Sequence, residues 1–404
     1  MKAINLFTFV FLSTILLASC SKEKTAGSMG SEGILIDEST LTSIDGFFDE
    51  IEFIPFLVPE DNPISISGIE PVISFGAQSF IICFDTYNDI KLYEYDYQGK
   101  FIRMNDRKGN GPGEIPFVGG FARSYEGNLI NIFNGVFFQI FDNDFNEIKR
   151  VDARQGEKWM SFLELHALTP DRFLVAVNGI YQNDEESIIK NFGIFDMQSN
   201  SLESFDLRTF PITDDLTVGS IRRYRDFFVL NFGASDTLYR YDNEGLRPWV
   251  VMNLGKRALP NSKKTIGQED PAFMQMIEQQ TYAFNFGNLE SAGDWMAIMI
   301  YALKKGETFS IQELQESGER FDMPVYDAYF NPNTGEVKAI KSPFLTEFRP
   351  IKSDGNYFYQ VLFPEDWAEL LESGKLGDRL TSLLQEAADK LNDTEDPILV
   401  RWRW

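Results

Sequence analysis

Along most of this chain, apolar and polar residues alternate in short runs, the period of a half-buried strand. A turn signature recurs between the runs. In Tyr95-Asp96-Tyr97-Gln98-Gly99-Lys100-Phe101-Ile102 an aromatic closes one run, Asp opens a turn and a second run follows. The same layout returns at Phe141-Asp142-Asn143-Asp144-Phe145-Asn146-Glu147-Ile148, at Phe195-Asp196-Met197-Gln198, at Tyr241-Asp242-Asn243-Glu244-Gly245 and at Phe330-Asn331-Pro332-Asn333-Thr334-Gly335. Asp and Asn favour such positions because a short polar side chain hydrogen-bonds the backbone just ahead of it, so each signature reads as a β-hairpin.

The turn-opening residues lie 46, 54, 46 and 89 residues apart. Strand-rich repeats of ~40–50 residues mark propeller blades, and the 89-residue interval reads as one blade enlarged by insertions. Five hairpins mark five blades. A sixth is expected from residues 356–362 and from the final run 396–404, where Val400, Trp402 and Trp404 alternate with Arg401 and Arg403. An N-terminal strand within residues 47–57 is expected to pair with the C-terminal strands, so that ring closure leaves no open sheet edge. The expected fold class is all-β: a six-bladed β-propeller over residues 33–404, with short helical insertions on one face. With strands lettered a to d from the axis outward, blade 2 is expected at residues 117–124, 129–133, 136–141 and 147–151.

Propeller geometry puts the a–b and c–d turns on one face and the b–c and d–a connections on the other. The first set is short, as at residues 76–78, 126–128, 170–172, 225–226 and 353–355. The second holds the long connections, residues 180–190, 255–282, 302–321 and 363–396. Long loops on a rigid scaffold commonly carry binding, so a site is expected on that elaborated face. Two helices are expected there. Asp270-Pro271 makes an N-cap and first-turn pair opening residues 273–280, and Leu376, Leu380, Leu383, Leu384, Ala387, Ala388 and Leu391 form an apolar stripe that docks a helix on the propeller.

Gly99-Lys100-Phe101-Ile102, Gly109-Asn110-Gly111-Pro112-Gly113-Glu114 and Gly127-Asn128-Leu129-Ile130 resemble an NHL-type repeat. More closely, the chain resembles the six-bladed β-propeller lipoproteins of Gram-negative gut bacteria, whose ends are matched by Asp49-Glu50-Ile51-Glu52-Phe53-Ile54-Pro55 and Asp396-Pro397-Ile398-Leu399-Val400. These motifs specify fold and carry no activity, because propellers host many unrelated functions.

Residues 1–20 are expected to be a signal peptide: Lys2 is basic, residues 6–17 are apolar and too short to span a bilayer, and Leu17-Ala18-Ser19-Cys20 resembles a lipobox. That resemblance implies acylation of Cys20 and attachment to a membrane through lipid. Ser21, in place of Asp, implies an outer-membrane lipoprotein, facing the periplasm or the cell surface. Residues 21–32, small and polar, read as a flexible tether.

The 404 residues carry 37 Lys and Arg against 61 Asp and Glu, a net charge of −24 that argues against nucleic acid as a partner. Cys20 and Cys83 are the only cysteines and His166 the only histidine, so neither a disulfide scaffold nor a multi-histidine metal site is expected, and no cofactor. Cys83 lies in the apolar run 80–84 and reads as a buried thiol. The glycines of residues 109–114 precede a strand and lack the Lys-Ser/Thr ending of a phosphate loop, and Asp142–Asn146 lacks the Gly and Glu of a calcium loop.

On the expected inner strands, Glu164 and His166 form a candidate acid/base pair. Arg123, Arg222, Glu290 and Arg349 are candidate ligand-binding residues for an anion or sugar at the channel mouth. Lys256 and Arg257, with Lys263 and Lys264, form a basic cluster on the elaborated face. Polar inner strands are also ordinary for a water-filled axis. Three functions follow: a lipid-anchored, non-catalytic scaffold binding an envelope protein or glycan; a channel-mouth polysaccharide lyase or hydrolase using carboxylates and arginines; or a purely structural assembly subunit held to another envelope protein through an apolar patch.

Overall fold

Each recurring Asp or Asn opens its hairpin by accepting backbone N–H groups from the turn ahead. Asp96 Oδ1 accepts from Gln98 and Lys100 at 2.9 Å, Asp142 Oδ1 from Asp144 and Asn146 at 2.9 and 2.8 Å, and Asn331 Oδ1 from Asn333 at 2.9 Å. Asp196 and Asp242 do the same for Gln198 and Glu244. In each turn a residue then takes positive φ: Gly99, Phe145, Asn200, Gly245 and Gly335. The repeated signature is therefore one local device used five times.

The structure is a computed structural model. It describes residues 33–36, 46–59, 64, 71–85, 88–123, 129–133, 137–152, 158–182, 185–187, 191–205, 219–260, 282–302, 325–341, 350–374, 376–392 and 396–404. Among the described residues six sheets form six blades, each built on four antiparallel strands, and blade 3 adds a short fifth, Glu185–Ser187, on its b strand. Blade 1 comprises Val72–Phe75, Ser79–Cys83, Lys91–Asp96 and Phe101–Asp106. Blade 2 comprises Gly120–Arg123, Leu129–Phe133, Phe137–Asp142 and Glu147–Asp152, close to the expected boundaries. The inner strands of blades 3, 4 and 5 are Lys158–Thr169, Gly219–Tyr224 and Ala283–Ala292, and that of blade 6 is the short Lys352–Ser353. Inner strands of successive blades touch around the axis.

Blade 6 closes the ring as expected. Its c strand Ile398–Arg403 pairs with the N-terminal Glu50–Pro55, in register Glu50 with Arg403 and Glu52 with Arg401. Both pairs are ion pairs, Glu52–Arg401 at 2.5 Å and Glu50–Arg403 at 2.6 Å, while Val400 and Trp402 on the other face are fully buried. A further N-terminal strand, Ile34–Leu35, pairs in parallel with the outer strand Gly245–Asn253 of blade 4.

The core is distributed. Among the described residues an apolar cluster lies at each junction between neighbouring blades, for example Phe138, Phe173 and Phe195 between blades 2 and 3, and Leu174, Phe192, Ile221 and Leu230 between blades 3 and 4. Two helices, α1 (Pro364–Ser373) and α2 (Asp378–Ala388), lie in the b–c connection of blade 6. The expected leucine stripe docks: Leu376, Leu380, Leu384 and Ala387 are buried against Phe47, Ile51 and Trp402. The helix expected at residues 273–280 lies outside the described residues.

Two turns checked by the same substitution separate backbone strain from ring closure. Gly99 and Gly245 both have positive φ, but a Cβ on Gly99 would sit 2.2 Å from the Pro55 carbonyl oxygen, whereas none would meet anything near Gly245. Gly245→Ala is expected to cost about 1–2 kcal/mol from left-handed backbone alone. Gly99→Ala is expected to cost about 3 kcal/mol or more, because the closing strand must also move. Urea unfolding midpoints check both.

Candidate functional site

Polar residues near the ends of the inner strands gather around the axis on the short-turn face. They line a cavity of about 1390 Å³ bounded by the a–b turns of blades 3 to 6 and the c–d turn of blade 4. The sequence pointed to the opposite, elaborated face. Most of residues 180–190, 255–282 and 302–321 lie outside the described residues.

Four charged groups from four blades meet at the cavity floor. Arg222 of blade 4 donates from Nη1 to both Glu164 oxygens of blade 3 at 2.6 Å, and Nη2 pairs with Glu290 of blade 5. Glu164 Oε2 also accepts the Ile221 backbone N–H at 2.7 Å. The Ser353 hydroxyl of blade 6 donates to Glu290 Oε2 at 2.9 Å. Lys352 stands beside this group with no hydrogen-bond or ion-pair partner among the described residues; the carboxylates of Glu164 and Glu290 attract it through space. His166 Nε2 lies 3.9 Å from Glu164 Oε2, and its ring meets Phe228 edge-on at 5.6 Å between centroids.

The electrostatics follow from crowding. Burial alone would raise Glu164, but the Arg222 guanidinium, with His166 and Lys352, holds its carboxyl far below the usual range. Burial works against the Arg222 charge, yet Glu164 and Glu290 hold its pKa above the usual arginine value. Burial lifts Glu290 above the usual carboxylate value despite Arg222 and Lys352. Burial lowers His166 despite Glu164, so its imidazole is neutral at pH 7. Burial and the Arg222 charge also lower Lys352.

Seven Arg and Lys side chains line the cavity wall beside five carboxylates, and Glu290 and Asp294, each paired with one of those arginines, bring the charges level in a chain of net charge −24. Three of the rim arginines are tied down: Arg240 and Arg247 by Asp242 at 2.5 and 2.8 Å, and Arg225 by Asp294 of blade 5 at 2.5 Å. Arg172 and Arg223 are exposed and form no close ion pair among the described residues; Asp196, opposite Arg172 in register, attracts it through space, and Arg223 Nε donates to the Arg225 carbonyl at 3.4 Å.

Of the candidates drawn from sequence, Glu164, His166, Arg222 and Glu290 come together here. Arg123 ends the inner strand of blade 2, with its side chain outside the described residues, as are Arg349 and Cys20. Lys256 and Arg257 sit on a short 3₁₀ turn, Gly255–Arg257, beyond the far end of blade 4's outer strand, and do not line the cavity. Lys352, Arg172 and Arg223 escaped notice, although the run Arg222-Arg223-Tyr224-Arg225 in so acidic a chain was a usable signal. Among the described residues no three His, Cys, Asp or Glu side chains are grouped to hold a metal. Burial pushes the Cys83 thiol up to about 12, which leaves it unreactive. In the 109–114 turn the N–H of Gly111 donates to Glu114 at 2.7 Å and that of Gly113 to Glu147 at 2.9 Å, while those of Gly109 and Glu114 donate to backbone carbonyls.

A family model described as 6-bladed beta-propeller, DUF5128, matches residues 22–339. No curated protein matches the chain. Among solved structures, a candidate exported protein of Bacteroides fragilis NCTC 9343 superposes with a TM-score of 0.65 at 15% identity, covering 92% of this chain and 99% of that one. A member of the DUF4221 family from Bacteroides vulgatus ATCC 8482 superposes with a TM-score of 0.55 at 10% identity, covering 88% and 96%. At these identities the likeness establishes the fold alone.

The lowered His166 value predicts a pH signature. In the unfolded chain the imidazole takes up its proton as pH falls through the ordinary range near 6.5, while in the folded chain it resists. Stability is therefore lost on acidification from pH 7 to about 5.5. Glu164, held low, is expected to give up its contribution only in stronger acid, below the unfolded carboxyl range. His166→Gln is expected to flatten the melting temperature between pH 7 and 5.5, leaving the steeper loss at lower pH; calorimetry across that range reads it.

Proposed function

Because the chain belongs to the DUF5128 family of 6-bladed beta-propellers, we propose that it is a non-catalytic binding propeller whose ligand enters the axial cavity on the short-turn face. The observation that carries this reading is the engagement of the inner-strand charges with one another. Glu164 is an acceptor of Arg222 and a backbone N–H, and Glu290 is an acceptor of Arg222 and Ser353. A carboxylate held so far below its usual value is a poor general base. The neutral His166 has Glu164 as its polar neighbour and no nucleophile in the pair. A polar cup of this size, rigid on six blades and with exposed arginines at its rim, supports binding instead.

The protein works outside the cytoplasm in this proposal, held to an envelope membrane by lipid on Cys20. The lipobox-like Leu17-Ala18-Ser19-Cys20 and the structural likeness to a candidate exported protein support that address. An outer-membrane position is favoured by Ser21.

A thermal-shift screen of the full chain against oligosaccharides and metabolites, with each hit re-analysed after prolonged incubation, tests the function. A saturable rise in melting temperature with the ligand recovered intact is expected. Accumulation of a product, lost in Glu164→Gln, would instead establish an enzyme. In the same cells Cys20→Ser is expected to move the chain from the membrane to the soluble fraction, and fatty-acid labelling that persists in this variant contradicts the anchor.

A further inference from the structure

The cavity has one side with a chemistry of its own. Blade 4's register sets Arg223 of strand a opposite Phe228 of strand b, and Phe228 opposite Tyr241 of strand c. A cation and two half-buried aromatics therefore stand in one row on the blade face turned to blade 3. Strands are about 4.8 Å apart, so the row spans roughly 10 Å. Across from it, blade 3 presents His166, whose ring abuts Phe228, and Arg172, whose charge reaches Tyr241. All of these line the cavity. The two rim arginines without a close ion pair among the described residues thus flank the same pair of aromatic rings.

We propose that this cleft between blades 3 and 4 binds a short acidic saccharide. The carboxylates are held by Arg172 and Arg223, and the less polar face of a sugar ring rests on Phe228 and Tyr241. The proposal rests on the reading of the cavity as a binding site and names its ligand class. Guanidinium groups pair with carboxylates in bidentate fashion, and aromatic side chains offer an apolar face beside a polar tip. Sugar hydroxyls need acceptors as well as donors, and the wall supplies both: the carboxylate of Asp226, on the a–b turn of blade 4, stands within the same cavity as the arginines. An extended acidic peptide would match the arginines but leave its backbone groups to be satisfied. The Debye length near 8–10 Å at physiological salt screens the distant negative charge of the chain and lets the two rim arginines act locally.

Isothermal titration of the full chain with trigalacturonate, its methyl ester and triglutamate tests this. Because Arg172 and Arg223 are exposed, their alanine variants are expected to keep the wild-type melting temperature. Saturable binding of trigalacturonate is expected, at least ten-fold weaker after esterification and in Arg172→Ala or Arg223→Ala, and undetectable in the double variant. Equal binding of the ester, or an unchanged affinity in the double variant, overturns the ligand class and leaves the cavity's binding role standing. Binding of triglutamate in preference to the saccharide overturns it in favour of an acidic peptide. No binding of any probe, together with no stabilising ligand in the wider screen, overturns both.

Discussion

The grip of Arg222 Nη1 on both Glu164 oxygens, extended through Nη2 to Glu290, is the interaction on which the inner part of this propeller depends. It joins blades 3, 4 and 5, and Ser353 adds blade 6 through Glu290. The apolar clusters at the blade junctions hold neighbours together, but inner strands crowd polar side chains around the axis, where apolar packing alone does not serve. Two carboxylates buried without a counter-ion would cost several kcal/mol each. Arg222 offsets that cost, outweighing it for Glu164 and relieving it in part for Glu290, and the wheel can then keep a polar, open centre.

The same grip divides the cavity into two zones. At the floor the charges are consumed in mutual pairing, which leaves little reactivity and a fixed shape. At the rim Asp242 and Asp294 restrain three arginines, while Arg172 and Arg223 are left to whatever enters. Rigidity below and unsatisfied cations above is an arrangement suited to recognition, since pre-organised donors lose little on binding.

Much of the fold was legible because its signals are local. The Asp and Asn of each hairpin act within a few residues, so their chemistry is written in the sequence next to the turn they form. The alternation of Val400, Trp402 and Trp404 likewise announced the closing strand, and the leucine stripe announced α2. Helix α1 was harder to see, with only Trp367 and Leu370 buried along it. The site was legible as residues and not as an arrangement. Glu164 and Arg222 are 58 residues apart and were marked separately, one as a catalytic candidate and the other as a ligand contact. Only the ring brings them together, and pairing changes the chemistry of both. Lys352 lay in a strand of two residues, too short to show a pattern. Arg172 and Arg223 gain their meaning from which charges are left unpaired, a property of the tertiary structure.

The central claim is that the inner-strand carboxylates are structural partners of Arg222. A mutant cycle by urea unfolding tests it most directly, comparing Arg222→Met, the pair Glu164→Gln with Glu290→Gln, and the triple variant. Stranding both carboxylates in Arg222→Met is expected to cost about 3–5 kcal/mol, with the triple variant recovering most of that loss. A mild cost for Arg222→Met, or losses that simply add in the triple variant, would contradict the account.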